Sequence, residues 1–408
     1  MKRPGAPGSP LRGRYLVRNP LWNAWLHVHD FLLGVFVGRP PRAAWTQAEI
    51  STPRRILIAI GGHLGDAVIA STLVSRVAQA YPNAEIGLLS GSWSRQVLHS
   101  HARVRWTHVM DHWKLNRRGG SLFARWRICR KSAGRALAEI RTIGYDVAID
   151  LAAYYPNSAR LLWRAGIPVR VGYESGGGGP LYTHPVRWEP RDHVWQEHVE
   201  LLARLTATNG DGVSATYELP PIPSTATRGA REKLVAAGFR EDADKVKEGY
   251  VVVHMGAGHV RKEWPIENWR TVVRELVSSG FRVALTGAGA EERAVAQRVA
   301  RSVAHCMDLT DQLDWNEFRA VIAGARAVLS VDTVAMHLAA AAGRPCVALM
   351  TGMDVPERWA ALGKQVTILS ERVRCSPCYR SQGCADMACI RGISPASAVS
   401  AAREYLAS

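Results

Sequence analysis

The chain has 408 residues and a formal net charge of +17 at pH 7. Its apolar content of 47% and charged content of 21% are typical of globular proteins, and its length predicts two domains. The basic excess indicates a polyanionic partner: nucleic acid, an anionic membrane or a phosphorylated substrate. Because no zinc-finger or RNA-recognition motif accompanies the charge, a nucleic-acid partner is not expected.

Residues 1–52 form a basic, proline-rich and aromatic extension. Its longest apolar run, residues 31–37, is far shorter than the roughly 20 residues that span a bilayer, and no signal peptide is predicted. Residues 15–37 are nevertheless rich in aromatic and leucine side chains. Two interpretations remain open: an interfacial helix on an anionic membrane, or a helix packed on the surface of the first domain.

From residue 53, short apolar runs alternate with glycine turns and helical spacing, which predicts an α/β fold with a parallel sheet. The first domain is expected over residues 53–220. Its predicted strands are 55–60, 86–89, 104–110 and 147–151. Its predicted helices begin at Asp66, within the basic segment 114–131, and at His193, and residues 172–181 are predicted to form a glycine-rich loop.

A proline-rich segment, residues 218–224, predicts a linker to a second domain over residues 221–408. There the same alternation resumes. The predicted strands are 250–254, 282–285, 327–330 and 346–349, and the predicted helices are 269–277, 291–300 and 334–342. Two doubly wound domains in series would bind ligands beyond the carboxyl ends of their strands, so the residues just after strands are the candidates for function.

In the first domain, the sequence Gly61-Gly-His63-Leu-Gly65-Asp66 follows the first strand. Asp66 is a candidate general base at a ligand cleft, with His63 and Gly65 on the acceptor side. The alternative is a tight turn followed by a helix cap, which needs glycine and aspartate for conformational reasons alone.

In the second domain, three strand ends carry polar groups suited to a diphosphate and a ribose. Each has a structural alternative. Lys262 would lie in a solvated basic loop, Asp332 and Thr333 would cap a helix, and Glu291 would be an acidic residue in the first turn of a helix. The candidate donor-binding residues are Gly256, Lys262, Gly287, Glu291, Asp332, Thr333 and His337.

Four cysteines cluster late in the chain at a spacing of C-x2-C-x5-C-x4-C: Cys375, Cys378, Cys384 and Cys389. Thiolates in a short loop can hold structural zinc or iron, although this is not the usual paired-knuckle spacing. The alternative is four reduced structural thiols, and disulfides are not expected.

Taken together, these motifs resemble the family 9 glycosyltransferases, the bacterial lipopolysaccharide heptosyltransferases, over residues 54–407. The most specific segments are Ser330-Val-Asp332-Thr333…His337 and Cys375-Ser-Pro-Cys378. The other matching segments are Ile56-Leu-Ile…Leu64-Gly-Asp66, Tyr145 to Asp150, Arg170-Val-Gly-Tyr173, His193-Val…Glu197, Lys262-Glu-Trp-Pro265 and Gly289-Ala-Glu291. The chain departs from many members at Ile60, where they have Lys or Arg, and at His63, where they often have Ser.

The resemblance implies the GT-B architecture of two facing Rossmann-like domains. It also implies an inverting mechanism that requires no cofactor, with Asp66 as base and Lys262 on the pyrophosphate. The resemblance also implies that Glu291 binds the nucleoside ribose and that Asp332, Thr333 and His337 bind the donor sugar and its phosphates. A subgroup that glycosylates autotransporter adhesins binds iron through cysteines, which is the precedent for a metal in the cysteine cluster.

The implied partners are ADP-heptose, an anionic glycolipid acceptor and the inner-membrane surface, which places the enzyme in the cytoplasm or peripherally on that membrane. The alternatives are a protein heptosyltransferase acting on an adhesin, a transferase of another nucleotide-activated sugar, and a non-catalytic binding module. The residues alone specify neither the donor base, the sugar nor the acceptor.

Overall fold

The computed structural model describes residues 14–37, 52–117, 120–206, 215–240, 249–303, 306–380 and 383–407. The chain divides into two units, Met1–Pro220 and Pro221–Ser408. The division falls inside the proline-rich segment. Among the described residues, no helix is long and apolar enough to cross a membrane.

In the described part of the first unit, six parallel strands form one sheet in the order β3-β2-β1-β4-β5-β6. They are β1 (Arg55–Ala59), β2 (Glu85–Ser90), β3 (Val104–Val109), β4 (Val147–Asp150), β5 (Val169–Tyr173) and β6 (His184–Val186). β1 is central, with Ile56 paired to Ile86 on one side and to Val147 on the other. The chain reverses its direction of travel across the sheet between β1 and β4, and ligands of doubly wound sheets bind at this switch point.

Helices and turns connect these strands. They are α1 (Pro20–Val37), α2 (Leu64–Ala80), α3 (Arg95–Leu98), α4 (Leu122–Ile143), α5 (Ala159–Arg164), α6 (Val194–Ala203) and the 3₁₀ turns Glu174–Gly176 and Gly179–Leu181. α4 packs on the sheet through the buried residues Ala136 and Ile140. Ser121 caps the amino end of α4: its hydroxyl accepts the Ala124 N–H at 3.2 Å, which is why Ser is favoured at this position.

One helix prediction in this unit is confirmed and one loop prediction was wrong in detail. The predicted helix begins within the basic segment, at Leu122, and residues 114–117 lie in a loop before it. The predicted glycine loop begins two residues later than expected, because Gly172 and Tyr173 pair with β6 as the end of β5. A Cβ at Gly172 would lie 2.5 Å from the Tyr182 ring, so the glycine serves close packing within a strand.

The described residues of the second unit repeat the arrangement with the strand order β12-β11-β10-β7-β8-β9. The strands are β7 (Tyr250–His254), β8 (Arg282–Thr286), β9 (Cys306–Asp308), β10 (Ala327–Val331), β11 (Cys346–Leu349) and β12 (Val366–Leu369). All pairings are parallel, so the α/β prediction is confirmed. The switch point of this sheet lies between β7 and β10.

The helices of the second unit cover this sheet. They are α7 (Ser224–Ala236), α8 (Ile266–Ser278), α9 (Ala290–Ala300), α10 (Trp315–Ala323), α11 (Val334–Ala341), α12 (Pro356–Trp359), α13 (Ala388–Arg391) and α14 (Pro395–Leu406), with a 3₁₀ turn at Val260–Lys262. α14 packs against α8 and against β10, β11 and β12. One buried cluster, which includes Trp264, Trp269 and Leu406, joins the last helix to the sheet, so the C-terminus belongs to this unit's core.

Candidate active site

The turn between β1 and α2 places Asp66 at the switch point of the first sheet. Asp66 lies in the first turn of α2, where one carboxylate oxygen, Oδ2, accepts the His63 N–H at 2.7 Å. The carboxylate lies directly over Gly62, since a Cβ built there would be 2.3 Å from Asp66 Cγ. Trp93 Nε1 donates to the Gly62 carbonyl at 2.9 Å and fixes the turn from the other side. The turn therefore holds the carboxylate in one orientation.

A small cavity, open to solvent, lies beside this turn at the carboxyl edge of the first sheet. It is lined by Ile60, Gly61, Gly62, Leu89, Ser90, Gly91, Trp93, Met110, His112, Leu115, Pro156, Asn157 and Ser158. Three strands, β1 to β3, end at its wall, and residues 156–158 in the segment after β4 complete it. The cavity is consequently a candidate acceptor site next to the predicted base.

Asp150 supports one wall of this cavity from below. Its completely buried carboxylate accepts hydrogen bonds from the Ser158 N–H at 2.6 Å, the Ala152 N–H at 3.2 Å and the Tyr182 hydroxyl at 2.8 Å. Burial raises the pKa of Asp150 to about 6, and the three hydrogen bonds oppose that rise. Asp150 thus orders residues 152–158.

A loop of cations, residues 112–117, borders the same cavity and was not predicted as part of a site. Burial lowers the pKa of His112 to about 4, and the charge of Lys114 lowers it further. Burial also lowers the pKa of Arg117, whereas the negative charge of Asp66 acts in the opposite direction. The electrostatic interaction between Asp66 and Arg117 places cationic charge beside the candidate base. The sequence shows the basic residues, but their position near Asp66 depends on the fold.

The predicted acceptor-side residues lie in this turn. His63 precedes α2, and its ring centroid is 5.9 Å from that of Trp93. Gly65 lies within the first turn of α2 and is partly exposed. His63 is thus at the cavity edge through Trp93, whereas Gly65 is not among the lining residues.

In the second unit, Lys262 and Asp332 come together at the switch point between β7 and β10. Lys262 Nζ lies 2.6 Å from Asp332 Oδ2, and both side chains are largely buried. Burial alone would raise the pKa of Asp332, but the Lys262 ammonium, with a smaller contribution from His337, lowers it below its ordinary value. At neutral pH Lys262 and Asp332 therefore form an ion pair.

The start of α11 stands immediately after Asp332. Thr333 is its N-cap, with Oγ1 accepting the Ala335 N–H at 3.2 Å and lying 3.0 Å from Ser330 Oγ. His337 follows one turn later and is buried. A helix start presents N–H groups and a positive dipole end, which suit a phosphate. The structure thus brings four predicted donor residues into one cluster: Lys262, Asp332, Thr333 and His337.

A larger cavity, with about 1080 Å³ of empty space, opens beside β7 and β8 in the same unit. Its lining residues are Met255, Gly256, Glu263, Trp264, Pro265, Ile266, Trp269, Thr286, Glu292, Val295, Arg298 and Arg391. Aromatic walls with carboxylates at the edge suit a nucleoside, whose base stacks and whose ribose hydroxyls donate hydrogen bonds.

The carboxylate that lines this cavity is Glu292, one residue after the predicted Glu291. Glu292 Oε2 accepts the Ala288 N–H at 2.8 Å. A Cβ at Gly256 would lie 2.0 Å from Glu292 Cδ, and a Cβ at Gly287 would lie 2.7 Å from Glu292 Oε2. Both predicted glycines therefore make room for Glu292, while Glu291 is exposed. Burial, followed by the charges of Glu263, Asp311 and Glu291, raises the pKa of Glu292, and the Ala288 N–H opposes this.

Arg261, the cation that precedes Lys262 in the chain, is not part of the cluster of Lys262, Asp332, Thr333 and His337. Its guanidinium donates to the Cys384 carbonyl at 2.5 Å. The adjacent residues Arg261 and Lys262 therefore have different tasks: the first ties the loop to the cysteine segment, and the second faces the strand ends.

The cysteine cluster follows β12: Cys375, Cys378 and Cys384 precede α13, and Cys389 lies within it. All are free thiols, Cys375 exposed and Cys389 buried, with Cys378 and Cys384 between these extremes. The Met387 N–H donates to Cys384 Sγ at 3.4 Å. Among the residues that the structure describes, which include all four cysteines, no three His, Cys, Asp or Glu side chains are arranged to hold a metal ion. Zinc or iron binding by these cysteines therefore stays a prediction.

Two doubly wound units in series, each with polar side chains at the carboxyl edge of its sheet, form the architecture of GT-B glycosyltransferases. The sequence profile of glycosyltransferase family 9 (heptosyltransferase) matches residues 134–388, more than half of the chain. The chain therefore belongs to this family and is a glycosyltransferase.

Individual relatives agree with the family. The chain is 24% identical to lipooligosaccharide heptosyltransferase 2 of Haemophilus influenzae, over 77% of this chain and 88% of that protein. It is 26% identical to lipopolysaccharide heptosyltransferase 1 of Pseudomonas aeruginosa, over 80% of this chain and 86% of that protein. The structure of the Escherichia coli ADP-heptose lipopolysaccharide heptosyltransferase II matches with a TM-score of 0.65 and 17% identity, over 86% of this chain and 98% of that one. The GT-B prediction is confirmed as a fold class.

Proposed function

We propose that this glycosyltransferase moves a heptose from ADP-heptose to a lipopolysaccharide-type glycolipid, with inversion at the anomeric carbon and without a catalytic metal. The observation that carries the proposal is the Lys262–Asp332 pair at 2.6 Å beside the start of α11. An ammonium and a helix start supply the positive charge that a departing diphosphate requires. The relatives named above, heptosyltransferases by name, support the sugar and the acceptor class.

In the proposed reaction, the acceptor hydroxyl attacks the anomeric carbon from the face opposite the diphosphate. The transition state resembles an oxocarbenium ion, as in glycoside cleavage. Asp66 accepts the hydroxyl proton through its carboxylate, which the His63 N–H orients at 2.7 Å. As the bond to the diphosphate breaks, Lys262 and the α11 start stabilise the negative charge that develops on it.

The donor and the metal requirement are tested together by calorimetric binding of ADP-heptose and of UDP-, GDP- and dTDP-sugars, each with and without EDTA. We expect selective binding of ADP-heptose that EDTA leaves unchanged. Preference for another nucleotide would retain the reaction type but contradict the heptose donor. Transfer assays with lipid-linked oligosaccharide and with a serine-containing adhesin peptide then separate a glycolipid acceptor from a protein acceptor.

The two neighbouring glutamates allow a matched test of nucleoside binding. We expect Glu292→Gln to weaken ADP binding by about tenfold, because a charge-assisted hydrogen bond to a ribose hydroxyl contributes about 1.5–3 kcal/mol. Glu291→Gln should change the affinity less than about twofold, since that side chain is exposed. The reverse order would return the ribose role to Glu291. Calorimetry on both variants decides between them.

A further inference from the structure

Helix α1 has two apolar faces on opposite sides. One face is docked on the first unit: Leu26 is buried, and Leu33 and Val37 pack against Ala159, Leu181 and Tyr182. Within this face, the buried Asp30 accepts the N–H groups of Gly178 and Gly179 at 2.8 and 3.2 Å and the Tyr15 hydroxyl at 3.0 Å. These contacts hold α1 along the surface of the unit.

The other face is exposed and contains no charged residue. Leu21, Trp25, Val28, Leu32 and Val35 recur at intervals of four and three residues, so they form one stripe, and Phe31 and Phe36 border it. Leu21 is 81% exposed, Phe31 70% and Phe36 84%. Single apolar residues scattered over a surface are common, but a continuous exposed apolar stripe marks a binding surface, because soluble proteins rarely expose one.

Cations lie before this helix. Arg14 and Arg18 precede α1 and are exposed, with Arg14 paired to Glu174 at 2.8 Å, while the one acidic residue of α1, Asp30, lies on the docked face. The start of α4 adds a second group of exposed apolar residues, with cations interleaved among them. The apolar residues are Leu122, Phe123, Trp126 and Ile128, and the cations are Arg125, Arg127, Arg130 and Lys131. Apolar side chains surrounded by cations are complementary to an anionic bilayer, whose headgroups attract the cations while its acyl boundary takes up the apolar face.

This surface adjoins the cavity of the first unit. Trp22 of α1 contacts Tyr155 at a ring distance of 5.4 Å, and Tyr155 contacts His112, which lines the cavity, at 5.8 Å. α4 reaches the same loop, since Arg125 donates to the Asn116 carbonyl at 3.4 Å. A bilayer on this surface would therefore lie next to the cavity beside Asp66.

We propose that the exposed face of α1, together with the start of α4, docks this enzyme on an anionic membrane, with α1 lying in the plane of the interface. The membrane then presents a lipid-linked acceptor beside the first-unit cavity. Only the presentation of an acceptor rests on the proposed function. Membrane binding itself depends on the two helices alone.

The test is sedimentation of the full chain with phosphatidylglycerol-rich vesicles and with neutral phosphatidylcholine vesicles, in the absence of donor and acceptor. We expect the wild-type chain to sediment with the anionic vesicles. F31E/F36E should lower the partition coefficient by at least about tenfold. The free energy of burying even one phenylalanine side chain corresponds to about a tenfold change in affinity, and the variant removes two. V235E is the matched control: Val235 is an exposed apolar residue on α7 of the second unit, and its replacement should leave sedimentation unchanged.

Thermal unfolding and ADP binding of F31E/F36E should match those of the wild-type chain, because both side chains are exposed. Wild-type protein that stays in the supernatant with anionic vesicles would overturn the proposal, as would a double variant that sediments like the wild type. A wild-type dimer that the double variant converts to a monomer, without vesicle binding by either, would make this face an interface between two copies. Because no substrate is present, failure here leaves the proposed reaction untouched.

Discussion

Asp66→Asn is expected to lower kcat by about 10³-fold, within the range of about 10²–10⁴ that general-base catalysis contributes. The amide has nearly the shape of the carboxylate, and its oxygen can still accept the His63 N–H that now reaches Asp66 at 2.7 Å. The start of α2 should therefore persist while the proton acceptor is lost. Steady-state kinetics with donor and acceptor varied separately measure the effect, and donor affinity should stay unchanged.

Asp146→Asn is the matched control. Asp146 also caps backbone, accepting the N–H groups of Arg54 and Arg55 at 2.7 and 2.9 Å, but it lies at the amino edge of the first sheet, away from the cavity. The Asp146→Asn variant should be less stable than the wild-type protein and should retain its kcat. Equal losses in both variants would mean that Asp66 acts only as a helix cap, and full activity of Asp66→Asn would favour the non-catalytic module.

Gly62→Ala tests the position of the Asp66 carboxylate without removing it. The added Cβ would lie 2.3 Å from Asp66 Cγ, so the carboxylate has to move. We expect kcat to fall by at least about tenfold, since catalysis is sensitive to displacements of about 1 Å. Gly134→Ala in α4, where a Cβ meets no atom within 4 Å, should leave kcat unchanged and stabilise the helix by about 1 kcal/mol. An unchanged kcat in Gly62→Ala would contradict a precisely held base.

Most inner strands and the edge strand β3 could be predicted from the sequence, whereas the inner strand β5 and the short edge strands β6, β9 and β12 were missed. β1, β7 and β10 are continuous apolar runs because they are buried on both faces. β6, β9 and β12 have three or four residues each and lie at sheet edges, where each has one neighbouring strand. Residues such as Cys306–Asp308 carry no periodic signal in isolation, so their strand conformation follows from pairing with β8.

The candidate site shows the same division between local and long-range information. The positions of Lys262 and Asp332 follow from strand ends, which apolar runs reveal, and the structure pairs them across 70 residues of sequence. The choice between Glu291 and Glu292 depends on which carboxylate fits over Gly256 and Gly287, and those glycines come from two different strand ends. Local sequence contains no such distance, so sequence reasoning named Glu291, whereas the residue that lines the cavity is Glu292. Likewise, the position of residues 112–117 beside the cavity depends on contacts with α4 and Tyr155.

Lys262→Met is expected to reduce kcat/KM by about 10²-fold, because removing one preorganised electrostatic contact to developing negative charge costs about 10²–10³-fold. Methionine keeps the length and apolar stem of the side chain and removes only its charge. Arg261→Met is the matched control: it removes the adjacent cation, whose guanidinium binds the Cys384 carbonyl at 2.5 Å instead of the strand-end cluster. Its kcat/KM should fall by less than about threefold. Kinetics at saturating acceptor, with donor varied, measure both.

A double variant separates the two ways in which Lys262 could act. Without the ammonium, only the weaker effect of His337 opposes burial, so the pKa of Asp332 should rise above the lowered value that it has in the ion pair. If Lys262 serves only to neutralise Asp332, then Lys262→Met/Asp332→Asn removes both charges and should recover most of the activity. If Lys262 stabilises the departing diphosphate, the double variant stays at least as impaired as Lys262→Met, because no cation replaces the lost one. We expect the second outcome, since the start of α11 at Thr333 already directs positive potential to the same place.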